Sequence, residues 1–141
     1  MENRAIDMNE DWVKWNPIDL PDGEYFVTKF IQDADGTIIM LDDEKNYVEI
    51  FFDGIPTMVR SSIVGLRMRT WGEVQIKYQN KSFFKNWFLY VVSNSKLVNW
   101  AIEESCGFYE AYQFKHYCIV TLEEVIDILS TFEPEISVSH I

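Results

Sequence analysis

The chain has 141 residues, 48% of them hydrophobic and 16% aromatic, which is enough apolar material for one folded domain over 1–141 and excludes a disordered chain. Its longest uninterrupted apolar stretch, Trp87–Val92, has six residues, against the ~20 that a membrane-crossing helix needs. The net charge of −11 repels phosphate backbones and anionic lipid headgroups, so neither nucleic acid nor a membrane surface is an expected partner.

The start, MENRAIDMNEDW, carries acids and amides where a signal peptide would have a basic segment and an apolar run. A cytoplasmic chain is expected, in which Cys106 and Cys118 stay as free, buried or half-buried thiols. Strands follow. Glu24–Gln32 is aromatic and β-branched, Asp33-Ala-Asp-Gly36 supplies turn chemistry, and Thr37–Leu41 is a short apolar run, a pattern that predicts a hairpin. Asp42–Asn46 forms a second polar loop, Tyr47–Asp53 a third strand, and Asp53-Gly54 a turn into a fourth strand at Thr57–Ser61, giving four strands in meander order. Val74–Tyr78 alternates at period two and predicts a half-buried strand. Between these strands Ser62–Thr70 is ambiguous.

Trp87–Val92 reads as a buried strand. Ser93-Asn94-Ser95 then offers helix caps, and Leu97, Val98, Ala101 and Ile102 form an apolar stripe that Gly107 terminates, so a helix is predicted between them. Phe114–Val120 reads as a strand. Thr121-Leu-Glu-Glu124 has capping-box spacing before Val125, Ile126 and Leu129, which predicts a second helix ended by Pro134. The expected fold is therefore α+β: an antiparallel meander sheet of about five to seven strands with two helices of the C-terminal half packed on one face.

Chemistry-bearing motifs are sparse. Asp33, Asp35 and Glu44 fall at calcium-loop positions, but Ile38 stands where that loop needs glycine, which leaves a hairpin turn as the reading. His116 and Cys118 share a strand face without the further Cys or His ligands of a zinc site, and Cys106 and His140 are remote in sequence. The same residues lack an orienting third group and an oxyanion hole for nucleophilic catalysis. No phosphate loop is present. No catalytic residue, metal ligand or cofactor site is assigned on this basis.

Charge is unevenly spread. Residues 1–60, 61–99 and 100–141 carry −9, +5 and −7. A basic partner is favoured, and two acidic clusters offer it a surface: Asp33, Asp35 and Asp42-Asp43-Glu44 in the hairpin loops, and Glu103, Glu104 and Glu110 at and beyond the end of the first helix. Five tryptophans and seven tyrosines supply potential interface anchors.

The strings FLYVVSNSKLVNWAIEESCG (88–107) and KHYCIVTLEEVIDILSTFEPEI (115–136), with Asp22-Gly-Glu-Tyr25 and Val48–Gly54 before Arg60, resemble the Bacillus-type immunity proteins of polymorphic toxins, including those acting against cell-wall-associated and contact-delivered toxins. The features that carry it are Asn94-Ser95 before a helix with Trp100, Glu104-Ser105-x-Gly107, His116-Tyr117, Asp127-Ile-Leu and Glu133-Pro134. That family's pattern has an acid after the arginine of the fourth strand, where this chain has Ser61-Ser62. The resemblance implies a non-enzymatic immunity protein that binds and neutralises a cognate toxin, often a basic nuclease. A small-ligand or regulatory binding module is the alternative, resting on the apolar pocket that a curved aromatic sheet can enclose, and an unrecognised enzyme ranks third.

Overall fold

The computed structural model describes residues 9–141, so the reading of a leader-free start falls mostly outside it. Among the described residues the chain runs β1 (Asp11–Lys14), β2 (Phe26–Asp33), β3 (Gly36–Asp42), β4 (Asn46–Phe52), β5 (Met58–Ile63), a short 3-10 turn (Val64–Arg67), α1 (Met68–Lys77), β6 (Leu89–Ser93), α2 (Lys96–Glu104), β7 (Lys115–Val120), β8 (Glu124–Ser130) and β9 (Glu135–His140). The protein is α+β with antiparallel pairing throughout. Its strands divide between two sheets of order β1-β6-β7-β8-β5 and β2-β3-β4-β9, where the sequence suggests a single sheet of five to seven. No described helix is long and apolar enough to cross a membrane.

The hairpin β2–β3 and the next strand β4 form as their turn chemistry predicts. Asp33 Oδ1 accepts from the Asp35 amide at 2.9 Å, and Asp43 Oδ1 accepts from the amides of Lys45 and Asn46 at 3.0 and 2.7 Å, so these aspartates fold their own loops. The meander then stops. β5 leaves for the other sheet and pairs with β8, while β9 takes the fourth place beside β4. The five residues 53–57 between β4 and β5, with Gly54 at φ 127° and a buried Pro56, carry the chain across.

Two local readings change type. Val74–Tyr78 lies in and just after α1 and is not a strand: Val74 and Tyr78, four residues apart, share a helix face with Arg67 and Trp71, and Ile76 is exposed. Five alternating residues satisfy either period, and the longer 67, 71, 74, 78 stripe decides. The helix expected after Thr121-x-x-Glu124 is instead β8. Thr121 and Glu124 do bond, through Glu124 N to Thr121 Oγ1 at 3.0 Å and Thr121 N to Glu124 O at 2.9 Å, but they close a β-hairpin between β7 and β8. Val125–Ser130 is buried on both faces, and there an apolar β-branched run is stabilised as a central strand. The two helices thus stand at 68–77 and 96–104.

Three layers result. The faces of the two sheets pack through Phe52 against Tyr117 (5.9 Å between ring centroids) and Tyr25 against Phe88 (4.3 Å). On the outer face of the five-stranded sheet sit α1 and α2, held by Lys77 on Asp11, by Tyr78, whose hydroxyl accepts from the Trp12 amide, and by an aromatic stack of Trp71, Phe84, Phe83 and Tyr90. Covered on both sides, β7 and β8 are almost wholly inaccessible. Each Ile or Leu buried there stabilises the fold by about 1.5–3 kcal/mol. A charge placed among them costs several kcal/mol unless it is fully paired.

Candidate functional site

Asp127 is such a charge. Side chains of residues paired across antiparallel strands share a face, so the registers Arg60↔Asp127↔Cys118, with His116 two residues before Cys118, put Arg60, Asp127, Cys118 and His116 together under the helices. Asp127 is 0% exposed. Its Oδ2 accepts from Arg60 Nε and Nη2 at 3.0 and 2.9 Å and from Arg67 Nη1 at 2.6 Å, and its Oδ1 lies 2.7 Å from His116 Nε2. Burial alone would raise the carboxyl's pKa. The His116 hydrogen bond and charge, with Arg67 and Arg60, outweigh it and hold the group well below the usual carboxylate range. The neighbouring Cys118 thiol is pushed up by its own burial and by the Asp127 charge.

The network continues to α2. His116 Nδ1 is 2.7 Å from Ser95 Oγ, and that oxygen also accepts from the Val98 amide at 3.1 Å as the helix N-cap. A proton on Nε2 lets the ring donate to Asp127. Serine, histidine and aspartate in one hydrogen-bonded chain invite comparison with a hydrolase triad, in which the serine pairs with Nε2 and the aspartate with Nδ1. Here the two nitrogens are exchanged, and the buried serine caps a helix. Its chemistry is to lock the imidazole and the start of α2. Glu10 acts alongside, accepting from the Lys96 amide at 2.8 Å and from Trp12 Nε1 at 3.4 Å, a carboxylate at the positive end of the helix.

Above this network lies a cavity of about 380 Å³ bordered by Arg60, Arg67, Lys96, His116, Glu10 and Glu73, with Met58, Leu97 and Trp100 as its apolar wall. A second cavity of about 350 Å³ adjoins it, sharing Met58 and Trp100 and extending along Glu104, Tyr109 and Phe114.

The segment after α2 builds a distinct surface. Cys106 at φ 55° and Gly107 at φ 79° turn the chain out of the helix. Phe108, Tyr109, Tyr112 and Phe114 then pack on one another at ring distances from 5.0 to 6.4 Å, yet Phe108 remains 70% exposed and Trp100 50%. Of the five tryptophans Trp100 alone is exposed; the others are buried or half-buried. Glu103, Glu104 and Glu110 are exposed among these rings.

The acidic positions expected from sequence thus fall in three places. Glu103 and Glu104 end α2 and Glu110 lies in the segment that follows it, all three exposed, with Glu104 bordering the cavity shared by Trp100 and Tyr109. Asp33 and Asp35 stand at one end of β3 and Asp42, Asp43 and Glu44 at the other, about 20 Å apart at ~3.4 Å per residue. The hairpin acids therefore do not form one patch. The weighed metal ligands do not converge either: His140 contacts Asn46 on the four-stranded sheet, and Cys106 is exposed rather than buried or half-buried. Among the described residues no three His, Cys, Asp or Glu side chains are grouped to hold a metal. The Arg60–Asp127–His116 network was missed in the sequence. Its signal is a lone aspartate inside the apolar run Val125–Leu129, which has to find cationic partners.

No family model, curated protein or solved structure matches the chain.

Proposed function

We propose that the chain is a bacterial cytoplasmic immunity protein that binds and neutralises a basic cognate toxin, a nuclease in the simplest case, without catalysis of its own. The observation that carries this reading is the surface at the end of α2 and after it, where Phe108, Tyr109 and Tyr112 are exposed and packed in succession, Trp100 is exposed and borders the same cavity as Tyr109, and Glu103, Glu104 and Glu110 are exposed on the same stretch of chain. Large aromatic rings that remain in water are anchors for a partner. Carboxylates around them steer a basic protein toward the anchors and reject acidic ones. The −7 charge of residues 100–141 adds a field of the same sign.

The test is co-expression with the large gene product encoded next to this chain, scored for rescued growth and for co-purification. The expected result is both, with Trp100→Ala and Tyr109→Ala each weakening co-purification while the protein stays folded. Absence of both rescue and co-purification removes the reading.

A further inference from the structure

The cavity over Arg60 has an imbalance that the toxin-binding reading does not use. A guanidinium carries five N–H donors. Arg60 spends donors of Nε and Nη2 on Asp127, and Arg67 spends one on the same oxygen, so among the described residues both keep donors with no acceptor. Arg60 is 41% exposed and Arg67 13%, and both border the cavity. The carboxylates at its edge are already engaged. Glu10 accepts from Trp12 and Lys96, and Glu73 Oε1 accepts from Arg69 Nε at 3.1 Å with Lys96 Nζ 4.0 Å from Oε2. Donors are in excess, while Glu10, Glu73 and Asp127 balance the formal charge of Arg60, Arg67 and Lys96 and so disfavour a dianion. Away from the arginines the wall turns apolar at Met58, Leu97 and Trp100 and leads into the adjoining cavity along Tyr109 and Phe114.

We propose that this paired cavity is a binding site for a small monocarboxylate with an apolar tail, its carboxylate on the open donors of Arg60 and Arg67 and its tail along Met58, Leu97 and Trp100. Planar carboxylate matches guanidinium geometry, which a lysine pair would not impose. The combined volume lies within the range of small-molecule sites, and its layout of many apolar groups with a few orienting charges is that of such a site. The proposal does not rest on the toxin-binding reading, although Trp100 borders both surfaces.

Octanoate, acetate, 1-octanol and inorganic phosphate are titrated into the full chain and followed by calorimetry and by amide and indole NMR. Octanoate is expected to bind at least about tenfold more tightly than acetate or octanol, since each lacks one of the two contacts, and to shift the Trp100 indole and the amides near Arg60. Arg60→Gln is expected to weaken octanoate by about tenfold or more, with Arg60→Lys intermediate. Trp100→Ala, which lies outside the buried network, is expected to weaken octanoate and leave acetate unchanged, and it decides the matter if Arg60→Gln does not fold. Phosphate binding as tightly as octanoate, equal binding of octanoate and octanol, or shifts confined to surfaces away from Trp100 overturns the proposal.

Discussion

Arg67 Nη1 stands 2.6 Å from Asp127 Oδ2, an ion pair whose aspartate is wholly withdrawn from solvent on β8, an interior strand of the five-stranded sheet. The same oxygen accepts two bonds from Arg60, so one carboxylate ties β5, β8 and the turn leading into α1. Removing it leaves two guanidinium groups and His116 without their shared acceptor.

Asp127→Asn is therefore expected to destabilise the fold by about 3–5 kcal/mol, the range for breaking one partner out of a buried ionic network. Chemical denaturation of both proteins at neutral pH checks this. The sign of the pH dependence follows from the depressed pKa. Asp127 in the folded protein titrates below its unfolded value, so its stabilisation is complete above the ordinary carboxylate range and is lost as pH falls through and beneath it. His116, Arg67, Arg60 and Cys118 are the groups that face it. The stability gap between wild type and Asp127→Asn should narrow as pH falls below ~4. A gap that is constant from pH 7 to acid would mean that the carboxylate charge contributes nothing.

Much of this architecture was legible in the residues. Hairpin turns at Asp33–Gly36 and Asp42–Asn46, the N-cap at Ser95 and the buried strand after Trp87 follow from local chemistry and appear where that chemistry places them. What escaped was long-range. Thr121-x-x-Glu124 makes similar side-chain bonds at a hairpin turn and at a helix start, and only burial on both faces selects the strand. β5 and β9 exchange places through a five-residue crossing that no pattern announces. The aromatic and acidic surface was half visible. Glu103, Glu104 and Glu110 were picked out, whereas Trp100 and the rings at 108–114 could have been core residues until their exposure was known.

The two cysteines should differ sharply in reactivity. Cys106 is exposed in the turn after α2, while Cys118 is buried beneath the helices with its thiol pKa raised by burial and by Asp127. Thiolate is the reactive form. A disulfide reagent at pH 8 is expected to modify Cys106 in the native protein and Cys118 only after unfolding, read as a second equivalent released by denaturant. Equal rates at both sites would show that the helix layer opens readily.

Gly36 should tolerate no side chain. It sits at φ 141°, and a Cβ there would meet Phe51 Cε1 and the Phe52 carbonyl oxygen, each at 2.7 Å. Both the backbone conformation and the contact oppose alanine, and the obstructing carbonyl belongs to the adjacent strand. Gly36→Ala is expected to cost about 2 kcal/mol or more, whereas Gly65→Ala, with nothing within 4 Å of the added carbon, should change stability little. Thermal denaturation of the two variants in parallel separates them.

The acidic clusters make opposite predictions for partner capture. Glu103, Glu104 and Glu110 neighbour exposed aromatic residues along the chain, so reversing all three to lysine should slow association with a basic partner by about tenfold at low salt and flatten its salt dependence, because charges around an interface act chiefly on the encounter rate. Thermal stability should barely move, since all three are exposed. Asp33→Lys with Asp35→Lys reverses two charges against three, but at a hairpin tip built by strands of the other sheet. A general field effect would slow both variants in proportion to the charges reversed. A local interface makes the glutamate variant slow and leaves the aspartate variant close to wild type, and stopped-flow association at low and high ionic strength distinguishes the two. Should the aspartate variant alone be slow, the interface lies on the four-stranded sheet and the rings after α2 are not its anchors.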